Sequence, residues 1–312
     1  MSLHQSRQIR HSTVFRRVQV HQVIDLGPHM RRIVVAGAEL EGFHSASPDD
    51  HIKVFFPNPE GDYVTPVLGP DGPVHPEGRT PSPMRDYTPR LHDPAAGTLA
   101  IDFVLHGEGP ASDWARQARA GDAFAFGGPR GSFLPAQDFD HYVLVGDETA
   151  LPAIGRWLEE MPEGRKATAL IEVPESADRQ VLATRADATI LWLPRDGAPA
   201  HASQRLEQAL EALLPQGDTF WWIACESRRA RAMRKFLEAR RQVPKDWVRS
   251  TGYWKHAGSQ DDDDATAAPA IALASVRDEG ITAPVDAGLR SMANSSCTGM
   301  GARPFEIARC PW

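Results

Sequence analysis

Short runs that alternate apolar and polar residues fill the first third of the chain, at residues 14–26, 30–35, 51–56, 99–105 and 123–126. Every second side chain of a strand faces the same way, so this alternation predicts strands with one buried face. Gly and Pro punctuate the gaps, as in NPEGD and GPDGPVHPEG. Many short strands with turn residues between them predict an antiparallel β-barrel. One helix is expected to interrupt it, starting near Pro110 with Ser112 or Asp113 close to its cap and running to Ala120.

The pattern changes after Asp140. Residues 141–145 (HYVLV) are a compact apolar run, followed by a turn and a helical segment through Trp157. Further apolar runs at 167–173, 189–193 and 219–224 alternate with helical stretches at 201–214 and 227–241. Strands alternating with helices predict a parallel sheet of α/β type. The expected division is a β-barrel domain over 12–137, an α/β domain over 138–257 and a disordered tail over 258–312. The tail begins GSQDDDDATAAPA, an acidic run among small residues with no sustained period.

Composition narrows the chemistry. Hydrophobic residues make up 41% and charged residues 24% of the 312, as in ordinary globular proteins. No apolar run approaches the roughly 20 residues that span a bilayer, and the N-terminus is polar, so a cytoplasmic protein without membrane insertion is expected. The formal net charge of −7 argues against nucleic acid as a partner. Eight acids and four arginines of that balance fall in 258–312, so the body is only −3 and has room for a basic pocket. The three cysteines, Cys225, Cys297 and Cys310, form no metal or disulfide pattern, and no HExxH occurs. Neither a built-in metal site nor a metal ligand set is expected.

Chemistry concentrates in a few segments. Arg85-Asp86-Tyr87-Thr88-Pro89-Arg90, read as one extended strand, puts Arg85 and Tyr87 on one face and Thr88 and Arg90 on the other. By itself this is also the pattern of an ordinary strand. HGEGPAS (106–112) is a Gly-rich turn into a helix, where backbone amides favour an anion. GDETALP (146–152) follows the first strand of the α/β half; it is not a GxGxxG fingerprint, yet it stands where such sheets bind ligands.

RDYTPR, HGEGPASDWA, GGPRGSF, GDETALPAI, the Glu226 turn and GYW occur in that order across about residues 12–256. Together they resemble the siderophore-interacting proteins, a branch of the ferredoxin–NADP reductase superfamily. The resemblance implies an FAD-binding barrel, an NAD(P)H-binding α/β domain and reduction of a ferric siderophore, with NADPH or NADH as donor. It places Arg85 on the FAD pyrophosphate, Tyr87 against the isoalloxazine and Thr88 near flavin N5, so that Tyr87 and Thr88 are the catalytic pair. Arg90 would add a phosphate or adenine-side contact. Gly109, Ala111 and Ser112 would close over the diphosphate, and His106 either lines the pocket or is structural. Trp114 is assigned to packing.

On the nucleotide side the resemblance implies Thr149, Ala150 and their amides on the ligand, with Asp147 and Glu148 turned away or serving the nicotinamide end. Glu226 would approach the nicotinamide, and Cys225 is read as packing. Arg228, Arg229 and Arg231 either take a 2′-phosphate or form a solvated basic face. Lys53, Arg130 and Arg249 (or Lys255) would line a cationic cleft for the anionic chelate, a poly-anion being drawn to positive charge. A monomer is expected. The competing readings are a flavin reductase with another acceptor and a siderophore-binding protein without catalysis.

Overall fold

The computed structural model describes residues 4–69 and 72–256. The expected disorder of 258–312, with Cys297 and Cys310, lies outside the described residues. Two sheets organise the rest.

The N-terminal half contributes β1 (Arg7–Arg10), β2 (Phe15–Gly27), β3 (Met30–Ala36), β4 (Ile52–Phe55), β5 (Val67–Gly69) and β6 (Gly72–Val74). It continues with β7 (Met84–Tyr87), β8 (Pro89–Asp93), β9 (Thr98–Val104), helix α1 (Pro110–Gln117), β10 (Ala123–Gly127) and β11 (Gly131–Leu134). Seven of these strands form an antiparallel sheet in the order β7-β4-β10-β2-β3-β9-β8. Alternation does what the sequence suggests: Val18 and Val20 are buried while Arg17 and Gln19 are exposed. The inward set, including Ile33, Val35, Ile52, Val54, Ile101, Phe103, Phe124 and Phe126, makes one apolar core.

The two edges of this sheet are consecutive in the chain. β7 pairs with β4 at one edge and β8 with β9 at the other, and only Thr88 stands between them. The sheet therefore curls until its edges adjoin, which gives the barrel its shape. The single six-residue strand expected for RDYTPR does not exist. Proline has no N–H to donate to the β4 ladder, so Pro89 opens a new strand instead of continuing the old one.

α1 also differs in detail. It starts at Pro110, with Gly109 at the cap position, and ends at Gln117. Proline suits the first helical position because its missing N–H would be unpaired there anyway. Ser112 and Asp113 are thus inside the helix, not at its cap.

The second half comprises β12 (His141–Gly146), α2 (Leu151–Glu160), β13 (Lys166–Val173), β14 (Asp187–Pro194), α3 (Arg205–Ala212), β15 (Thr219–Glu226), α4 (Ser227–Arg240) and β16 (Val248–Trp254). All four pairings of its five-stranded sheet, ordered β14-β13-β12-β15-β16, are parallel. α2 covers one face, with Ile154 and Trp157 against Leu144 and Trp222. α3 and α4 cover the other, with Leu206, Leu210, Met233 and Leu237 against Val145 and Ile223. Strand order reverses between β12 and β15, the place where open α/β sheets receive ligands at their carboxyl ends.

Polar contacts fasten the two sheets together. Arg90 on β8 bonds Glu159 on α2 through both terminal nitrogens at 2.6 Å. Arg156 on α2 reaches the Ser45 hydroxyl and the Pro89 carbonyl. Asp49, buried before β4, accepts from Trp222 Nε1 at 3.1 Å and Arg249 Nε at 2.9 Å. His29, in the β2–β3 turn, donates its backbone N–H to Asp178.

Candidate active site

The seam between the sheets gathers most of the expected chemistry. Arg85 is exposed on β7 and makes one side-chain bond, to the Met84 carbonyl. Among the described residues no carboxylate holds it, so its guanidinium keeps the donors a phosphate needs. Tyr87 is half-buried, its ring 4.3 Å from that of Phe103. Burial raises its phenol above the ordinary value, opposed by the nearby charge of Arg85. Thr88 is buried at the barrel edge, and its hydroxyl meets the phenol of Tyr253 on β16.

Arg90 departs from expectation. It is 7% exposed, is held by Glu159 and lies 3.9 Å from Asp102. A Cβ at Gly155 of α2 would come within 2.8 Å of its guanidinium, so glycine there lets the arginine lie flat on the helix. The break at Thr88 sends Arg85 and Arg90 to opposite edges of the sheet. Arg90 is therefore a strut between domains, with its charge already neutralised, and not a phosphate ligand.

The 106–112 turn is braced from within. Ser112 is buried and donates to the Val104 carbonyl at 3.3 Å while accepting from the His106 amide at 3.4 Å. The Gly109 amide is taken by Asp113 at 3.1 Å. The Ser112 hydroxyl and Gly109 N–H thus support the loop and are not free for a diphosphate. Gly107 and Gly109 both have positive φ, with open space where a Cβ would stand. That opening, with Ala111 in the first turn of α1, is what a bulky anion could approach. The His106 imidazole is exposed at its mouth. Trp114 packs among Phe56, Phe103 and Phe124, as expected.

At the crest of the parallel sheet the turn after β12 closes on Asp147. Its Oδ1 accepts from the Thr149 amide at 3.0 Å and the Thr149 hydroxyl at 2.5 Å, and its Oδ2 accepts from Trp254 Nε1 at 2.7 Å. The Ala150 amide bonds the Asp147 carbonyl, and its side chain is buried against Gly146. The amides of Thr149 and Ala150 are therefore spent inside the turn, contrary to the expected ligand contact. Glu148 faces away, bidentate to Arg195 at 2.6 and 2.7 Å. Burial first, then the charge of Glu148, pushes the Asp147 carboxyl up to about 6.

Glu226 ends β15 and caps α4, Oε2 accepting from the amides of Arg228 and Arg229. Its Oε1 is buried without a hydrogen-bond partner. An acceptor stranded at the crest matches an amide N–H₂ arriving there, because an unpaired buried oxygen is costly. Cys225 is fully buried and burial raises its thiol, which suits packing. Arg229 is buried between Glu172 and Glu207, so it cannot take a 2′-phosphate; Arg228 and Arg231 are exposed.

The expected substrate cations differ in their surroundings. Lys53 on β4 is the ladder partner of Gly127, three residues before Arg130, and of Asp86, to which its Nζ bonds at 2.8 and 3.1 Å. Arg130 is exposed in the turn before β11 with no ion pair among the described residues. Arg249 rests 4.6 Å above the Phe133 ring and bonds Asp49. Lys255 is exposed just beyond β16.

Comparison with known proteins gives this geometry its context. Residues 19–133 match the siderophore-interacting FAD-binding domain, and residues 139–257 match the siderophore-interacting protein domain that follows it. The NADPH-dependent ferric-chelate reductase of Escherichia coli is 36% identical, aligned over 80% of this chain and 96% of its own. The chain belongs to the siderophore-interacting protein family.

Ferric vibriobactin reductase of Vibrio cholerae, 34% identical, aligns over 75% of this family member and 86% of its own length. The crystal structure of a siderophore utilization protein from T. fusca superposes with a TM-score of 0.76 at 37% identity, covering 84% of this chain and all of that one. A ferredoxin NADP+ reductase from Neisseria gonorrhoeae shares the fold alone, with a TM-score of 0.51 at 13% identity over 77% of this chain and 99% of that one.

The siderophore-interacting FAD-binding domain has residues that fit its flavin. Among the described residues the Arg85 guanidinium is bonded only to the Met84 carbonyl, Tyr87 is half-buried, and Gly107 and Gly109 leave open space where a Cβ would stand. Three contacts next to the candidate residues of this family member are not readable from the sequence: Tyr253 beside Thr88, Trp254 on Asp147, and Asp49 between Trp222 and Arg249. GYW was visible as a motif, but its partners lie more than a hundred residues away. Asp49 gave no signal beyond an Asp-Asp pair in a loop.

Proposed function

We propose that this protein is an FAD-dependent oxidoreductase that takes reducing equivalents from NADPH or NADH and passes them to the iron of a ferric siderophore, releasing ferrous iron in the cytoplasm. The observation that carries this reading is the meeting of Arg85, Tyr87 and Thr88 with Tyr253 at the seam of the two sheets. Bound FAD supplies hydride acceptance and stepwise electron release, the chemistry no side chain here can perform.

The residues have distinct tasks. Arg85 neutralises phosphate charge, and Tyr87 presents its ring to the flavin plane. Thr88 offers a hydroxyl at the edge where Tyr253 also arrives. Glu226 Oε1 receives the carboxamide of a nicotinamide, and the Asp147–Trp254 bond holds β16 in place behind it. Lys53, Arg130 and Arg249 face the chelate. The names of the Escherichia coli and Vibrio cholerae relatives support NADPH and a ferric chelate as the reactants. Among the described residues no helix is long and apolar enough to cross a membrane.

Anaerobic mixing tests the proposal. The purified protein should be yellow, lose that absorbance with NADPH or NADH, and regain it when ferric chelate is added, with ferrous iron trapped by a colorimetric chelator. A colourless protein that cannot be loaded with FAD, or reduced flavin indifferent to every ferric chelate, refutes it.

A further inference from the structure

Two of the three cations proposed to face the chelate already carry a carboxylate of their own. Lys53 faces Asp86 directly across the β4–β7 ladder, so strand register keeps the pair together at 2.8 Å. Arg249 is held at 2.9 Å by Asp49, whose side chain is only 4% exposed. Asp49 is fixed from behind by Trp222 Nε1 at 3.1 Å and cannot swing away when a substrate arrives. Arg130 alone of the three keeps an uncompensated charge among the described residues.

From a few ångströms away an ion pair acts as a dipole, and its field falls off faster than that of a bare cation. A site built from two such pairs and one such arginine attracts a trianion weakly, because each added negative charge meets Asp86 and Asp49 as well as the cations. A neutral or singly charged chelate is not penalised. Its contacts would come from the apolar and planar surfaces present, the Arg249 guanidinium lying on the Phe133 ring among them.

Building on the ferric-siderophore reading above, we infer that Asp86 and Asp49 are specificity-determining residues that tune this site to ferric chelates of low net charge, of the tris-hydroxamate class, and against tris-catecholate trianions. Three hydroxamates cancel the charge of ferric iron, whereas three catecholates leave three negative charges. The second set also stabilises the ferric state more strongly, so the first asks less of the donor.

Gallium(III) complexes separate binding from electron transfer, since gallium matches ferric iron in charge and size but is not reduced. FAD-loaded protein is titrated with a neutral gallium tris-hydroxamate and with gallium tris-catecholate, followed by tryptophan fluorescence. The wild type should prefer the neutral complex. Asp86→Asn and, separately, Asp49→Asn should each tighten the trianion about fivefold at low salt with flavin absorbance retained, and Asp86→Asn should move the neutral complex less than twofold. Asp86 is exposed, so its exchange does not threaten folding. A wild-type preference for the trianion, or variants that leave its affinity unchanged, overturns the inference and leaves the proposed reduction standing. Failure of both complexes to bind removes the siderophore reading together with it.

Discussion

Arg90 and Glu159 share two 2.6 Å bonds, and through them the strand after the flavin motif is tied to the first helix of the α/β half. Glu159 is 31% exposed at its side chain but Arg90 only 7%, so losing the acid leaves the buried guanidinium only Asp102, 3.9 Å away and already bound by Arg32. Glu159→Gln should lower stability by about 3 kcal/mol, read by denaturant titration. Gly155→Ala should lower it too, because the new methyl displaces the same guanidinium.

Arg85 is expected to hold FAD and little else. Among the described residues its side chain bonds only its neighbour's carbonyl, so Arg85→Ala should leave the melting temperature of the flavin-free protein unchanged. Removing a charge-assisted phosphate contact should weaken FAD by about 2 kcal/mol, roughly thirtyfold in Kd, measured as flavin absorbance per protein on dilution.

Asp147 predicts a pH dependence with a definite sign. Its carboxyl is held up at about 6, by burial first and the charge of Glu148 second. The folded protein thus binds a proton that the unfolded chain releases near pH 4. The stability from this group is fully present below about pH 4 and is lost as pH rises through 6. Asp147→Asn removes that slope. The melting temperature of the variant minus that of the wild type should climb across this window and flatten above it. A difference independent of pH contradicts the assignment.

Arg130 is exposed and has no ion pair among the described residues, so its reversal should be felt more than that of Lys53. Arg130→Glu should reduce kcat/KM for an anionic ferric chelate about tenfold at low salt, with the loss shrinking as salt screens it. Reduction of a neutral dye by the same variant should be unaffected. Lys53→Glu should show the smaller effect of the two.

The sequence carried the fold because local rules write it. Val18 and Val20 against Arg17 and Gln19 spell a strand with one buried face, and HYVLV followed by a helical stretch spells a parallel unit. Short elements escaped that reading. β1 is exposed throughout, so it shows no alternation, and β5 and β6 are three residues each.

For the candidate site, Arg85, Tyr87 and Thr88 are adjacent in the chain and so adjacent in space, and their flavin roles rest on the resemblance. Arg90 departs from the expectation because Pro89 starts a new strand paired with β9, where α2 supplies its partner Glu159. Thr149 and Ala150 were misread because the loop's amides turn inward to Asp147, a preference that appears only once that carboxylate is buried.

Element types and the order of a barrel before a parallel sheet were determined by the chain alone, since propensity and periodicity are local quantities. Which charges remain available was decided by tertiary structure. Lys53, Arg90, Arg229 and Arg249 look alike in one dimension, and only packing reveals that Asp86, Glu159, Glu172 and Asp49 neutralise them, because a Coulomb interaction depends on distance in space and not along the chain.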